Sequence, residues 1–207
     1  MNDYGLAVML LLAYLLGATP TSYLAAKLGR RIDLREHGSR NLGATNVYRV
    51  LGWAYAIPVA LIDMAKGAVP VAILGPWSNG PGWFPVALGL AAVVGHIFSP
   101  YVRFKGGKGV ATAAGMFLAL APLAVAISLG LWAATLWFSG YVSVASLTAA
   151  VLFPLWVWLT APAASQPYTV WAAVALAGLI VYSHRHNIRR LREGTENRFR
   201  TRKGVAA

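Results

Sequence analysis

The chain has 207 residues, 58% of them hydrophobic and 12% charged, with a mean hydropathy of +0.59. Soluble domains carry about 45–50% apolar and roughly 25% charged residues, so a soluble globule and a disordered chain are both excluded. Eighteen Lys and Arg against six Asp and Glu leave a formal charge of +12, and the absence of Cys excludes disulfides, thiolate metal sites and a Cys nucleophile.

Crossing roughly 30 Å of hydrocarbon takes about 20 apolar residues. Clear spans are expected, in chain order, at residues 4–24, 53–74, 83–101, 141–160 and 168–183, several of them opening or closing on Trp or Tyr. The opening MNDYG lacks a positive n-region, so the first span is expected to be retained rather than cleaved. Between the third and the last two lies an apolar stretch, 110–138, with Pro122 near its middle. It is too long for one upright span and too short for two full ones.

Charge decides how that stretch folds. Lys27, Arg30, Arg31, Arg35, Arg40 and Arg49 follow the first span, and Arg103, Lys105 and Lys108 follow the third. Arg185, Arg189, Arg190, Arg192, Arg198, Arg200, Arg202 and Lys203 follow the last. Seventeen of the eighteen basic residues therefore sit in three segments, and only Lys66 falls inside a span. Positive loops stay cytoplasmic, so the three segments share one side. With two spans after Phe138, the 110–138 stretch has to add an even number of crossings. A hairpin bent at Pro122 does this, because proline removes a helix hydrogen bond. The expected fold is an all-α integral membrane protein with seven transmembrane segments, N-terminus outside and C-terminus cytoplasmic, forming one domain over 1–207. Its fourth segment, from Val110 to Ala121, is about 18 Å long and does not span alone.

Three polar segments carry chemistry. The first, His37 to Arg49, packs Gly38, Ser39, Asn41, Gly43, Thr45 and Asn46 between Arg40 and Arg49. Glycine lets backbone N–H groups converge, short polar side chains add donors, and arginine offers a planar fork that fits phosphate oxygens. The alternative is a solvated loop meeting anionic lipid, which calls for Lys and Arg but not for a run of Gly, Asn and Thr. In the second segment, Gly106, Gly107 and Gly109 surround Lys108 directly before the short apolar helix at Val110. A helix N-terminus presents free N–H groups and partial positive charge, so the expectation is an anion site. It is no Walker A loop, since Val110 stands where Ser or Thr would follow the Lys and no strand precedes it. A flexible basic turn is the plain alternative. In the third segment, where the last span ends, His184 and Asn187 share a helical face at i, i+3, while the arginines fit a positive-inside signal.

Asp63 and Lys66, at i, i+3 inside the second span, read as a structural ion pair or a substrate contact. His96 reads equally as a polar core group or a catalytic one. The acids are too few and too scattered for a metal cluster, so no metal and no cofactor are expected.

The segments GSRNLGATNVYR, GHIFSPYVRFKGGKGVAT and HRHNIRRLREGTENRF, with DMAKG at residues 63–67, resemble the bacterial acyl-phosphate:glycerol-3-phosphate acyltransferase family, PlsY. The likeness covers nearly the whole chain; departures are Arg40, where members often carry Gly, and Arg185, where they often carry Glu. The resemblance implies a seven-helix enzyme of the cell inner membrane with its active site on the cytoplasmic side. It would move a fatty acyl group from acyl phosphate to the sn-1 hydroxyl of glycerol 3-phosphate, giving lysophosphatidic acid and phosphate in the first step of phospholipid synthesis. It implies glycerol-phosphate contacts at Ser39, Arg49, Lys108, His184 and Asn187. The acyl-phosphate loop falls on Gly106, Gly107, Lys108 and Gly109, with Thr45 and Asn46 beside it. Ser39, Arg49 and Lys108 are the residues expected to act in catalysis. Expected partners are the two substrates, the lysophosphatidic acid product, membrane lipid and an acyl-phosphate-supplying enzyme; no nucleic acid is expected.

No H-x-x-x-x-D occurs, because Leu42, Tyr101, Arg189 and Leu191 stand five positions after the four histidines. The His/Asp pair that activates the hydroxyl in other glycerol-phosphate acyltransferases is thus missing. An acyl phosphate is already activated, so a substrate-assisted route without a protein base is expected. A transporter is the rival class, but it would show inverted repeats and paired broken helices at the midplane; this sequence shows no repeat, and its polar segments lie at one face rather than through the core. A structural protein bound to anionic lipid leaves the Gly-Asn-Thr run unexplained.

Overall fold

The structure, a computed structural model, describes residues 3–163 and 165–199. Arg200, Arg202 and Lys203 of the basic tail lie outside the described residues. Helix α1 (Asp3–Ala18) is followed, after Thr19 and Pro20, by α2 (Thr21–Arg30) at an angle of 41°. The expected first span, 4–24, is therefore broken. Pro20 has no N–H for the helix ladder and its ring clashes with the carbonyl four residues back.

A loop over 31–43 leads to α3 (Ala44–Leu51), and Gly52 turns the chain into α4 (Trp53–Val69). That helix continues through a π turn (Pro70–Leu74) into the short α5 (Gly75–Trp77), so Trp53–Trp77 forms one apolar rod. Next come α6 (Phe84–Ile97), a 3-10 turn (Pro100–Val102) and α7 (Val110–Leu120). The helix breaks at Ala121, directly before α8 (Pro122–Ser139), where Pro122 takes an early helical position that needs no N–H. Then follow α9 (Val142–Thr160), α10 (Gln166–Ser183) and α11 (Arg185–Arg192), the last bent 55° from α10.

Among the described residues, four helices are long and apolar enough to cross a membrane, and up to six if each bent pair counts as one span; α7, with 11 residues, is shorter. Exposed Leu11, Leu61, Phe138, Trp158 and Trp171 cover the outside, a surface suited to hydrocarbon. The interior combines large buried side chains, Phe84, Leu88, Met116 and Phe117, with small residues at the helix contacts. Helix α1 packs on α6, α4 on α7, and α9 between α8 and α10. Gly67 on α4 lies against the Thr112 backbone and Gly115 on α7 against that of Met64, so closely that any Cβ would collide. Close approach through small residues is how helices associate in lipid, and here it fixes α7, the helix that follows the Gly-rich loop.

A buried polar cluster fastens the break between α1 and α2. Lys66 Nζ lies 2.6 Å from Asp63 Oδ1 and donates to the Thr19 carbonyl at 2.7 Å. His96 Nδ1 stands 3.8 Å from the same carboxylate, and Ser99 Oγ donates to the Ala18 carbonyl at 2.5 Å.

Candidate active site

The 31–43 loop is held from within. Leu34 and Leu42 are buried, and the buried Asn46 side chain binds the loop at three positions. Its Oδ1 accepts the Ser39 N–H at 2.8 Å, while Nδ2 donates to the carbonyls of His37 (3.1 Å) and Leu34 (3.4 Å). Asn46 thus shapes the loop and fixes the backbone of Ser39. Thr45, half-buried, stands beside it in the first turn of α3. Arg40 is exposed, whereas Arg49 is half-buried and donates through Nη2 to the Asn197 carbonyl at 3.4 Å.

The Gly-rich loop departs from expectation in one respect. The N–H groups of Gly106 and Gly107 do not point at a common anion. They donate to the carbonyls of Ile97 (3.0 Å) and His96 (3.1 Å), which α6 leaves open at its C-terminal end. The two residues lie so close to the His96 backbone and ring that a side chain on either would collide. Their smallness lets the loop dock on the end of α6. Gly109 then enters α7 at φ 81°, a left-handed conformation that favours glycine. The donors left for an anion are the Lys108 ammonium and the first-turn N–H groups of α7.

Lys108 turns inward. Its Nζ donates to Asn187 Oδ1 at 2.5 Å, and Asn187 Nδ2 donates to Glu196 Oε1 at 2.6 Å. Arg190 Nε binds the other carboxylate oxygen at 2.7 Å. Burial pushes the Lys108 ammonium down to about 8, opposed by Glu196 and assisted by Arg190 and Arg49. Burial pushes the Glu196 carboxyl up, but hydrogen bonds from Asn187 and Arg190 outweigh it and hold the group below its ordinary value. His184 is buried at the end of α10, with Nδ1 2.8 Å from the Ile180 carbonyl. A carbonyl only accepts, so Nδ1 carries the hydrogen and Nε2 is left as an acceptor.

The three polar segments thus meet at one place. Arg49 reaches the tail at Asn197, the tail's Glu196 reaches Asn187, and Asn187 reaches Lys108. The Leu42 carbonyl lies against Gly107, joining the first loop to the second. His96, Asp63 and Lys66 lie behind the Gly-rich loop. The sequence reading assigns no site role to Glu196 or Arg190. The available signal was the Gly194-Thr195-Glu196 run, which a purely positive stop signal does not call for. Three partly buried cations, Arg49, Lys108 and Arg190, share the one carboxylate of Glu196, an excess of positive charge that suits a phosphate.

Residues 7–194 match a family model described as glycerol-3-phosphate acyltransferase. Among curated relatives, a glycerol-3-phosphate acyltransferase of Desulfotalea psychrophila is 47% identical over 92% of this chain and 96% of its own length. One from Geotalea daltonii is 45% identical, with 93% and 97% covered. One from Chlorobium luteolum is 42% identical, with 94% and 96% covered. The fold is similar to crystal structures of PlsY (YgiH), an integral membrane glycerol 3-phosphate acyltransferase. The glycerol 3-phosphate form superposes with a TM-score of 0.87 at 38% identity, covering 95% of this chain and 96% of that one. The lysophosphatidic acid form gives 0.84 at 36% identity, covering 94% and 95%.

Proposed function

From the premise that the chain belongs to the glycerol-3-phosphate acyltransferase family, we propose how this protein carries out the reaction and where. It is a multi-pass membrane enzyme that acylates glycerol 3-phosphate to lysophosphatidic acid. The donor is acyl phosphate, and the acceptor is the sn-1 hydroxyl. The single domain lies in the cell inner membrane as seven segments, the short α7 pairing with α8 as a hairpin, with the N-terminus outside and the site facing the cytoplasm. The observation that carries this reading is the link from Arg49 to the Asn197 carbonyl and, from the adjacent Glu196, through Asn187 to Lys108, with its surplus of positive charge. Two phosphorylated substrates reacting side by side need such a field, and the apolar tail of one would lie along the exposed apolar faces of the helices.

The sn-1 oxygen attacks the acyl carbonyl carbon, the bond from that carbon to the phosphate oxygen breaks, and inorganic phosphate leaves. The hydroxyl proton passes to a phosphate oxygen of the substrate, so no protein base is required. Arg49 and Ser39 hold the acceptor phosphate, the latter on a backbone fixed by Asn46, with Thr45 beside them. Nε2 of His184 accepts from an acceptor hydroxyl, and Asn187 sets the direction of the Lys108 ammonium. Lys108, with the N–H groups that follow Gly109, neutralises charge on the departing phosphate. Gly106 and Gly107 serve by letting the loop sit on α6 rather than by contacting substrate. Held in line and in a dry site, an activated donor needs positioning and charge stabilisation above all.

The test uses the purified protein with synthetic acyl phosphate, following phosphate release with and without glycerol 3-phosphate. Release that depends on the acceptor supports the reading. Release independent of it, or none at all, overturns it.

A further inference from the structure

Beyond α11 the chain folds back onto three other elements. Thr195 N–H donates to the Arg190 carbonyl at 2.8 Å, and Phe199 N–H donates to the Gly140 carbonyl at 2.8 Å, in the turn between α8 and α9. Arg198 Nε binds the Tyr141 hydroxyl at 3.0 Å, with its guanidinium 5.3 Å from the ring centre. The Phe199 ring sits 5.1 Å from that of Tyr48 on α3 and edge-on, at 5.9 Å, to that of Trp53 on α4. Tyr48 and Trp53 are themselves 4.1 Å apart, so the three rings close into one cluster. Between Glu196 and this cluster lies Asn197, whose carbonyl takes the hydrogen bond from Arg49.

Helix α3 has only eight residues, too few to hold its shape without tertiary contacts. Its inner face is fixed by Asn46 and Val47, both buried. The part that carries Tyr48 and Arg49 is braced from outside by residues 195–199. Arginine has five donors; one is aimed by the Asn197 carbonyl, which orients the guanidinium and leaves the others for a ligand.

We propose that Phe199 is a positioning residue for the acceptor phosphate: seated against Tyr48 and Trp53, it holds residues 195–199 in place, so that the Asn197 carbonyl presets the guanidinium of Arg49. This rests on the reading that Arg49 binds the phosphate of glycerol 3-phosphate. Aromatic rings prefer offset and edge-to-face contacts, so another aromatic at 199 preserves the brace and an alanine removes it.

The experiment measures steady-state kinetics for wild type, Phe199→Ala, Phe199→Tyr and Arg49→Ala, with amide hydrogen exchange on the first three in the absence of substrate. In Phe199→Ala, KM for glycerol 3-phosphate rises about tenfold while kcat and KM for acyl phosphate stay within about twofold. Phe199→Tyr restores the acceptor KM. The amides of 44–51 exchange faster in Phe199→Ala than in wild type. An acceptor KM that responds to Arg49→Ala but not to Phe199→Ala overturns the proposal, as does faster exchange spread over the whole chain. If Arg49→Ala leaves the acceptor KM unchanged, the acceptor assignment of Arg49 fails, and this proposal fails with it. The exchange data then still decide whether Phe199 braces α3.

Discussion

Lys105 and Lys108 stand three positions apart in one loop and meet different surroundings. Lys105 is exposed, whereas Lys108 is partly buried on Asn187. Lys108→Ala should lower kcat by roughly 10²-fold or more, the scale for losing one preorganised electrostatic contact. Lys105→Ala should change it far less, because a surface Lys contributes only about 1 kcal/mol of attraction to anionic lipid; kinetics of both variants in matched detergent decide. The ammonium, held down to about 8 by burial, is the charged form, so it is lost as pH rises through that value. kcat/KM should therefore fall above about pH 8. A bound phosphate favours the ammonium and should move the corresponding limb in kcat to higher pH. Lys108→Arg, which keeps its charge, should remove the limb; a limb unmoved in that variant would assign it to another group. The expectation that no divalent metal is needed also rests on single residues. Asp33 is paired with Arg35, Asp63 with Lys66 and Glu196 with Arg190, so these carboxylates are already committed to cations. Excess chelator should leave turnover unchanged, and activity lost to chelator and restored by Mg²⁺ would contradict this. Of the residues expected from sequence, Arg49, Lys108 and Asn187 are joined through Asn197 and Glu196, and His184 is buried at the end of α10. The glycines were not legible in the sequence, because whether a backbone N–H serves a ligand or the end of α6 depends on what packs beside it.

At the scale of elements, the helix break at Ala121 was legible because Pro122 interrupts a stretch whose length suits neither one span nor two. The break at Thr19 and Pro20 was not, since the surrounding apolar run is of ordinary span length and hides the proline within it. What steadies that break is the α4 pair, with Lys66 tied both to Asp63 and to the Thr19 carbonyl. The spacing of Asp63 and Lys66 announced the pair, but nothing in the sequence announced Thr19 as its third member. Lys66→Met should destabilise the fold by about 3–5 kcal/mol, because it strands a buried carboxylate. Replacing both charges, Asp63→Leu with Lys66→Met, should recover most of the loss, since an apolar pair removes the unpaired charge as well. Thermal unfolding in detergent checks the order: a double variant no more stable than Lys66→Met would mean that the Thr19 hydrogen bond, not the ion pair, carries the effect.

For the whole molecule, the three basic segments named from sequence come together in the structure, through Arg49 to Asn197 and Lys108 to Asn187. That convergence supports placing them on one side of the membrane, as positive loops require. The same contacts bear on the stretch whose crossing number sets the topology. The start of α7 lies beside Lys108, on the face that holds the tail. The end of α8 lies at Gly140, whose carbonyl accepts the Phe199 N–H at 2.8 Å, on that same face. The proposed topology therefore takes α7 with α8 as a hairpin with no net crossing, α9 with α10 as a second and the α4 rod with α6 as a third, which leaves α1 with α2 as the one crossing that no partner reverses. We therefore expect a reporter fused after Ala207 to be cytoplasmic and one placed before Met1 to be periplasmic. Termini on one side would require α7 and α8 to make a single crossing between them, which would pull Gly140 away from the tail and break the contacts that hold Phe199 and, through it, Arg49.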